Sequence, residues 1–248
     1  MDYTNRFDGR GEVYAKARPR YAGGLFEYLK SEVGAAVGSA FADVGSGTGI
    51  FAEQLLNSGY AVFAVEPNGD MRRKAEEKLS QRKGFVSVNG SDGYTGLPDR
   101  SVDFVSAAQA FHWFAPEAFR EECRRILRPG GKVVIVYNFR DETAACTRAL
   151  AALQGRFDPE FHGFSNGMSR ERCRAFFDGP CAVYRADNAQ RYDRQGYIDR
   201  VLSSSYSRRP GEDGFEEYQR GIREIFDEFA VDGWITVPTD TAAFIGEA

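Results

Sequence analysis

Histidine is scarce in this chain: two residues, His112 and His162, among 248. Cys123, Cys146, Cys173 and Cys181 form no C-x-x-C pair, so neither zinc spacing nor a disulfide framework is present. Four such thiols read as reduced cysteines of a cytoplasmic protein. Long apolar runs are missing as well. The longest, VVIVY, has the length of a strand and is far too short to cross a bilayer. The opening MDYTNRFDGRGE is polar and has no apolar stretch of secretory type. Charge of one sign is also lacking, with 32 Lys+Arg against 36 Asp+Glu for a net −4. That balance carries no basic footprint for nucleic acid. Arg72 and Arg73, in MRRKAEEKL, are offset by the glutamates that follow on a helix, which makes a solvated face. The expectation is therefore no metal, no membrane and no nucleic acid.

What is present is an ordinary globular composition, 42% hydrophobic and 27% charged, and a length suited to one sizeable core. From residue 40 short apolar runs alternate with amphipathic segments. AFADV, AVFAV, FVSV, VDFVSAAQ and KVVIVYNF read as five buried strands. IFAEQLLNSG, NGDMRRKAEEKLSQ and APEAFREECRRIL read as helices between them. The last starts with Pro116 in its first turn and is expected to stop at Arg128-Pro-Gly-Gly. Near-continuous apolar strands separated by helices predict an α/β fold, a doubly wound and mostly parallel sheet covered on both faces. Ligands of such sheets sit outside the carboxyl ends of the strands, where strand order reverses.

Beyond residue 140 the alternation weakens. SRERCRAFF looks helical, CAVYRADNAQRY contains a strand, and TAAFIG supplies a closing one, for seven in all. FEEYQRGIREIFDEF places Phe215, Tyr218, Ile222, Ile225, Phe226 and Phe229 at helical spacing, a packing face rather than a cofactor box. Residues 1 to 35 read as two short helices divided by Pro19. One domain over 1–248 is expected. Its core falls at about 36–140, 168–190 and 235–248, with a helical lid and substrate elements at about 1–35, 141–167 and 191–234.

The turn FADVGSGTGIF raises the question of a ligand. A dinucleotide fingerprint requires G-x-G-x-x-G/A, and after Gly45 and Gly47 the third small residue is replaced by Ile50. A Walker A loop requires a lysine that the turn lacks. Glu66 ends the second strand, where a carboxylate suits the ribose hydroxyls of NAD and of any other adenosine ligand alike.

FADVGSGTGIF, AVEPNGDM, LPDRSVDFVSAAQAFHWF and ILRPGGKVVIVYN, in this order, resemble the class I S-adenosylmethionine-dependent methyltransferases. The likeness is nearest to the branch of trans-aconitate methyltransferase and related small-molecule enzymes. It covers residues 10 to 140 well, with a weaker echo at VLSSSYSRRP and at the last strand. It implies a Rossmann-like fold, S-adenosyl-L-methionine as cofactor and a small-molecule acceptor, a carboxylate if the likeness extends that far. By the same likeness, Gly45, Ser46 and Gly47 bring the backbone against the methionine part, and Glu66 takes the ribose. Pro67 and Met71 sandwich the adenine. Asp43 orients the turn or holds the cofactor's ammonium through water, unless it only ties the turn by local hydrogen bonds. Relatives carry Gly-Asp-Ala-Glu where this chain has GSDGY, so either Ser91 or Asp92 contacts the adenine. Gln109 offers its carbonyl to the ammonium, and Tyr14 and Arg18 close over the cofactor, the arginine on its carboxylate.

Substrate contacts fall to Phe111, His112, Trp113 and Tyr206. His112 serves either as a base or as a residue that shapes the pocket, and no catalytic residue is named. Arg140, Arg208 and Arg209 neutralise an acidic acceptor or are plain surface arginines. Two other readings stay open: an NAD(P)-dependent Rossmann oxidoreductase, and a non-catalytic protein that binds the same cofactor.

Overall fold

The computed structural model describes residues 18–204 and 206–248. After a helix, α1 (Gly24–Ser31), the apolar runs become strands β1 (Ala40–Val44), β2 (Ala61–Val65), β3 (Phe85–Val88), β4 (Val102–Ala108) and β5 (Leu127–Arg140). Helices α2 (Ile50–Asn57), α3 (Gly69–Leu79) and α4 (Pro116–Ile126) connect them. The five strands pair in parallel in the order β3-β2-β1-β4-β5, so the order reverses between β1 and β4. Helix starts follow local chemistry. The Asn68 side chain accepts from the amides of Asp70 and Met71 to cap α3, and Pro116 occupies the first turn of α4.

The second half of the chain adds α5 (Ala145–Phe157), α6 (Arg170–Arg174), β6 (Ala182–Asp187), β7 (Gln190–Tyr192), α7 (Arg194–Leu202), α8 (Phe215–Phe229), β8 (Ile235–Val237) and β9 (Thr239–Gly246). β9 inserts antiparallel between β5 and β6, completing a seven-stranded, mostly parallel sheet among the described residues. Apolar clusters cover it. One joins Val105, Ile135, Phe119 and Phe176, and the other joins Phe41, Leu25, Leu55 and Val134. A third cluster lies apart from these, formed by Leu150 and Leu153 of α5, Tyr197 and Val201 of α7, and Tyr218, Ile222 and Phe226 of α8. The aromatic stripe of α8 is thus a packing face. It approaches α5 so closely that a Cβ on Gly221 would come within 2.6 Å of Leu153 Cδ1.

Several boundaries differ from the sequence expectations. Arg128-Pro-Gly-Gly does not terminate α4, which ends at Ile126. It bulges out of β5 between the pairings Val102↔Leu127 and Phe104↔Lys132. CAVYRADNAQRY splits at Asn188 into β6 of the main sheet and β7, which pairs with β8 in a separate ribbon. α5 lies in a stretch with no expected helix, and α6 is only five residues long. Of the two expected N-terminal helices, the second is α1, while the first lies outside the described residues.

Candidate functional site

A cavity of about 340 Å³ opens at the carboxyl ends of β1, β2 and β4, where the strand order reverses. Its floor is the turn Gly45–Gly49, whose three glycines do different things. Gly45 has φ +68° and its missing Cβ would lie 2.7 Å from Ala110 Cβ, so its bareness lets the turn pack on the loop after β4. Gly49 has φ +79°, and a Cβ there would lie 2.8 Å from Leu79 Cδ1, so it packs α2 on α3. Gly47, at φ +56°, has nothing within 4 Å of that position. It is the glycine that keeps the cavity floor bare.

Glu66 follows β2 and is 8% exposed. Its Oε2 accepts from the Gly47 amide at 2.8 Å and its Oε1 from the Asn68 amide at 2.9 Å. The carboxylate ties the glycine turn to the start of α3 and keeps a second lone pair on each oxygen. Burial holds it above the ordinary carboxylate range, with the two amides and Arg72 pulling the other way. Asp43, in β1, is 1% exposed and accepts from Ser106 Oγ at 2.9 Å through Oδ1. Among the described residues its Oδ2 is buried with no hydrogen bond of ordinary geometry, as are the hydroxyls of Ser46 and Thr48. Burial first, and the neighbouring Glu66, push the Asp43 carboxyl up to about 7 against the pull of Ser106 and of the Ala52 backbone amide. A buried acceptor left open costs stability unless a ligand donor meets it.

Pro67, Met71, Ser91 and Asp92 also line the cavity. The loop bearing the last two is clamped by Thr95, whose amide and hydroxyl both donate to Glu122 Oε1, at 2.7 and 2.5 Å. Asp92 Oδ2 accepts from the Ala115 amide at 2.9 Å, just ahead of α4.

Past β4 the chain turns sharply at Gln109, a non-glycine residue at φ +54°. Its Oε1 accepts from the Asn138 amide at 2.7 Å and its Nε2 donates to Ser165 Oγ at 3.3 Å, joining the sheet to the lid. Phe111 does not reach the cavity, in contrast to the sequence expectation. It is buried edge-on against Phe176 at 5.1 Å, because the short 3-10 turn Phe111–Trp113 sends alternate side chains to opposite sides. His112 and Trp113 do line the cavity. Tyr137 Oη accepts from the His112 amide at 3.0 Å and lies 2.9 Å from Nδ1. Burial keeps the Tyr137 phenol protonated, and its oxygen already accepts from the His112 amide, which favours the phenol proton going to Nδ1 and the tautomer that carries its proton on Nε2. Burial, with the charges of Arg18 and Arg172, pulls His112 down to about 3. A neutral ring with Nε2 already protonated is a hydrogen-bond donor and not a base. Nitrogen NMR is expected to show this imidazole neutral and Nε2-protonated from pH 5 to 8, and a transition inside that window would overturn the assignment.

Arg18 lines the cavity and its Nη2 donates to the Ser203 carbonyl at 3.4 Å. Tyr14 lies outside the described residues. Tyr206 reaches the cavity from the lid, edge-on to Phe161 at 5.1 Å. Arg140 is there too, over the Phe164 ring at 4.3 Å. Arg208 is instead a structural tie, donating to the Phe157 carbonyl at 2.6 Å, and Arg209 is absent from the lining. Sequence reasoning passed over Arg200 of α7, which is 9% exposed and lines the cavity. The only sequence signal was an arginine amid the apolar positions Ile198 and Val201.

Comparison with known proteins agrees with this geometry. The methyltransferase domain family matches residues 42–135, from β1 into β5. An uncharacterized methyltransferase of Geobacillus kaustophilus is 31% identical over 174 residues, covering 68% of this chain and 75% of that one. The chain belongs to this methyltransferase family. An uncharacterized methyltransferase of Mycobacterium tuberculosis is 34% identical over 155 residues, 62% of this chain, and the match spans 61% of that relative's length. A solved structure from Anaeromyxobacter dehalogenans, provisionally named a type II methyltransferase, superposes with a TM-score of 0.61 at 25% identity, covering 93% of this chain and 97% of that one. Among the described residues no cluster suited to a metal ion occurs, and no helix is long and apolar enough to cross a membrane.

Proposed function

We propose that this protein transfers the methyl group of S-adenosylmethionine to a small-molecule acid in the cytoplasm. The accepting atom would be a carboxylate oxygen, as the likeness to the trans-aconitate methyltransferase branch implies. The observation that carries the cofactor reading is the pairing of a bare turn at Gly47 with the buried, unpartnered Asp43 Oδ2 beside Glu66. These features fit a ligand with one ammonium group and two vicinal hydroxyls. Glu66 would accept from the ribose, Asp43 would face the ammonium, Pro67 and Met71 would flank the adenine, and Ser91 or Asp92 would meet its amino group. Gln109 would offer its carbonyl to the ammonium, and Arg18 with Tyr14 would take the cofactor's carboxylate. When bound, the cofactor supplies an electrophilic methyl group on a positively charged sulfur.

The protein's own part is alignment and exclusion of water, worth about 7–11 kcal/mol of barrier in well-oriented systems. An ionised acid needs no base, consistent with the neutral, Nε2-protonated His112. Trp113 and Tyr206 would wall the acceptor chamber.

Calorimetry with S-adenosylhomocysteine tests the reading. Asp43 holds its proton up to about pH 7, and the ammonium favours the ionised form. Binding should therefore release a proton at pH 6, and affinity should rise about tenfold between pH 6 and 8 before levelling. Asp43→Asn should flatten that slope. Absence of binding heat, or binding of NADH in its place, would refute the cofactor assignment. A radiolabel transfer screen of small acids then addresses the acceptor.

A further inference from the structure

The acidic and basic groups that line the cavity are sorted by position. Asp43, Glu66 and Asp92 come from the ends of β1 and β2 and the loop after β3, whereas Arg18, which donates to the Ser203 carbonyl after α7, lies at the other end with Arg140 of β5 and Arg200 of α7. Arg200 is 9% exposed. Among the described residues its guanidinium makes one hydrogen bond, from Nη1 to Ser204 Oγ at 3.3 Å, and no carboxylate lies at ion-pair distance. Arg140 likewise meets no carboxylate among the described residues and lies over the Phe164 ring. Four other arginines in this half of the chain do meet carboxylates: Arg156 with Glu217, Arg170 and Arg185 with Asp240, and Arg194 with Asp227. Burying a guanidinium with one neutral hydroxyl for company is unfavourable, and placing a second cation nearby makes it more so. Burial first, then Arg18 and Arg140, lower Arg200 to about 10, which still leaves it charged at neutral pH.

We propose that the lid end of the cavity is an oxyanion-anchoring subsite, in which Arg200, assisted by Arg140, holds a carboxylate-type group of the methyl acceptor. The proposal rests on the methyltransferase reading above and adds the residues that select the acceptor. A guanidinium presents a planar fork that matches two oxygens of one anion, and in a cavity cleared of water that match is strong. The rings of Phe164, Tyr197 and Tyr206 line the same end, so the anchored group would sit on a partly apolar body. The anion supplies the charge that the described residues withhold. It also bridges α7 to the end of β5, so acceptor binding would fasten the lid to the sheet.

The test uses the full chain saturated with S-adenosylhomocysteine. Thermal unfolding is followed with benzoate, glutarate and phenylphosphonate, each set against its uncharged amide or ester. At least one acid should stabilise the wild type while its neutral partner does not. Carboxylates ahead of the phosphonate would identify the planar anion, and the reverse order a tetrahedral one. Arg200→Met should abolish the response, and Arg200→Lys should restore part of it. Without any added acid, Arg200→Met should melt about 2–4 °C higher than wild type, because a buried unpaired charge has been removed. S-adenosylhomocysteine affinity should stay within about twofold of wild type in Arg200→Met. The proposal is overturned if Arg200→Met melts lower, if it loses cofactor affinity tenfold, or if no acid outperforms its neutral partner. Failure of the wild type to bind S-adenosylhomocysteine would refute the methyltransferase reading instead.

Discussion

Glu66→Ala is expected to weaken S-adenosylhomocysteine binding by at least tenfold and to lower stability at the same time. A hydrogen bond to an ionised group contributes about 1.5–3 kcal/mol, or roughly 10- to 150-fold in affinity. The free lone pairs of this carboxylate would serve the ribose, so the binding loss follows from the proposed contact. The stability loss has a separate cause. Glu66 already accepts from the Gly47 and Asn68 amides, and alanine leaves both without an acceptor. Glu66→Gln does not escape the problem, because its amide nitrogen must face one of those two N–H groups, donor against donor. Calorimetry and thermal unfolding on the same samples separate the two effects. Normal affinity in a destabilised variant would assign Glu66 to the turn alone and remove the ribose contact.

The glycine turn yields the other large contrast. Gly47→Ala should fold, at a cost of about 1–2 kcal/mol for a left-handed non-glycine residue. Its methyl group meets no protein atom within 4 Å. It projects where the cofactor's methionine part would lie, so binding should fall by tenfold or more. Gly45→Ala should do the opposite. Its Cβ would collide with Ala110 Cβ at 2.7 Å and crowd the Phe114 ring at 3.2 Å, with the same left-handed penalty at φ +68°. Overpacking costs about 1–3 kcal/mol, so the combined destabilisation should reach about 2–5 kcal/mol. Melting temperature and cofactor affinity of the two variants, measured side by side, decide the matter. If Gly47→Ala binds as well as wild type, the bare stretch of the turn does not face the cofactor.

Period and turn chemistry in the sequence foretold the central sheet from β1 to β5, because parallel strands buried on both faces must be apolar along their whole length. The Gly-rich turn and Glu66 stood out for a related reason, since each directly follows such a strand; Met71 and Gln109 came only from the likeness to the methyltransferases, and all of them line the cavity. Beyond residue 140 that guide is lost. α5 buries Cys146, Thr147 and Gln154 beside its leucines, so its inward face is not plainly apolar. Phe111 and Trp113 were equivalent as aromatic neighbours in QAFHWF, and only the 3-10 turn sends one to the core and the other to the cavity. Arg208 was set beside Arg140 and Arg209 as neutralising an acidic acceptor or as a plain surface arginine, yet it holds a backbone carbonyl. Arg200 drew no notice because its place between Ile198 and Val201 in RQGYIDRVL was the one sign that α7 would bury it.

By itself the sequence determined the elements whose cause is local: buried strands, capped helices, and a turn that only glycine can make. Tertiary structure decided where β9 enters the sheet, which glycine is left open, that His112 meets Tyr137, and that Arg200 lies buried with no carboxylate at ion-pair distance among the described residues. Those outcomes depend on groups far apart along the chain, whose distances and shared desolvation arise only when the sheet and the lid close on one cavity.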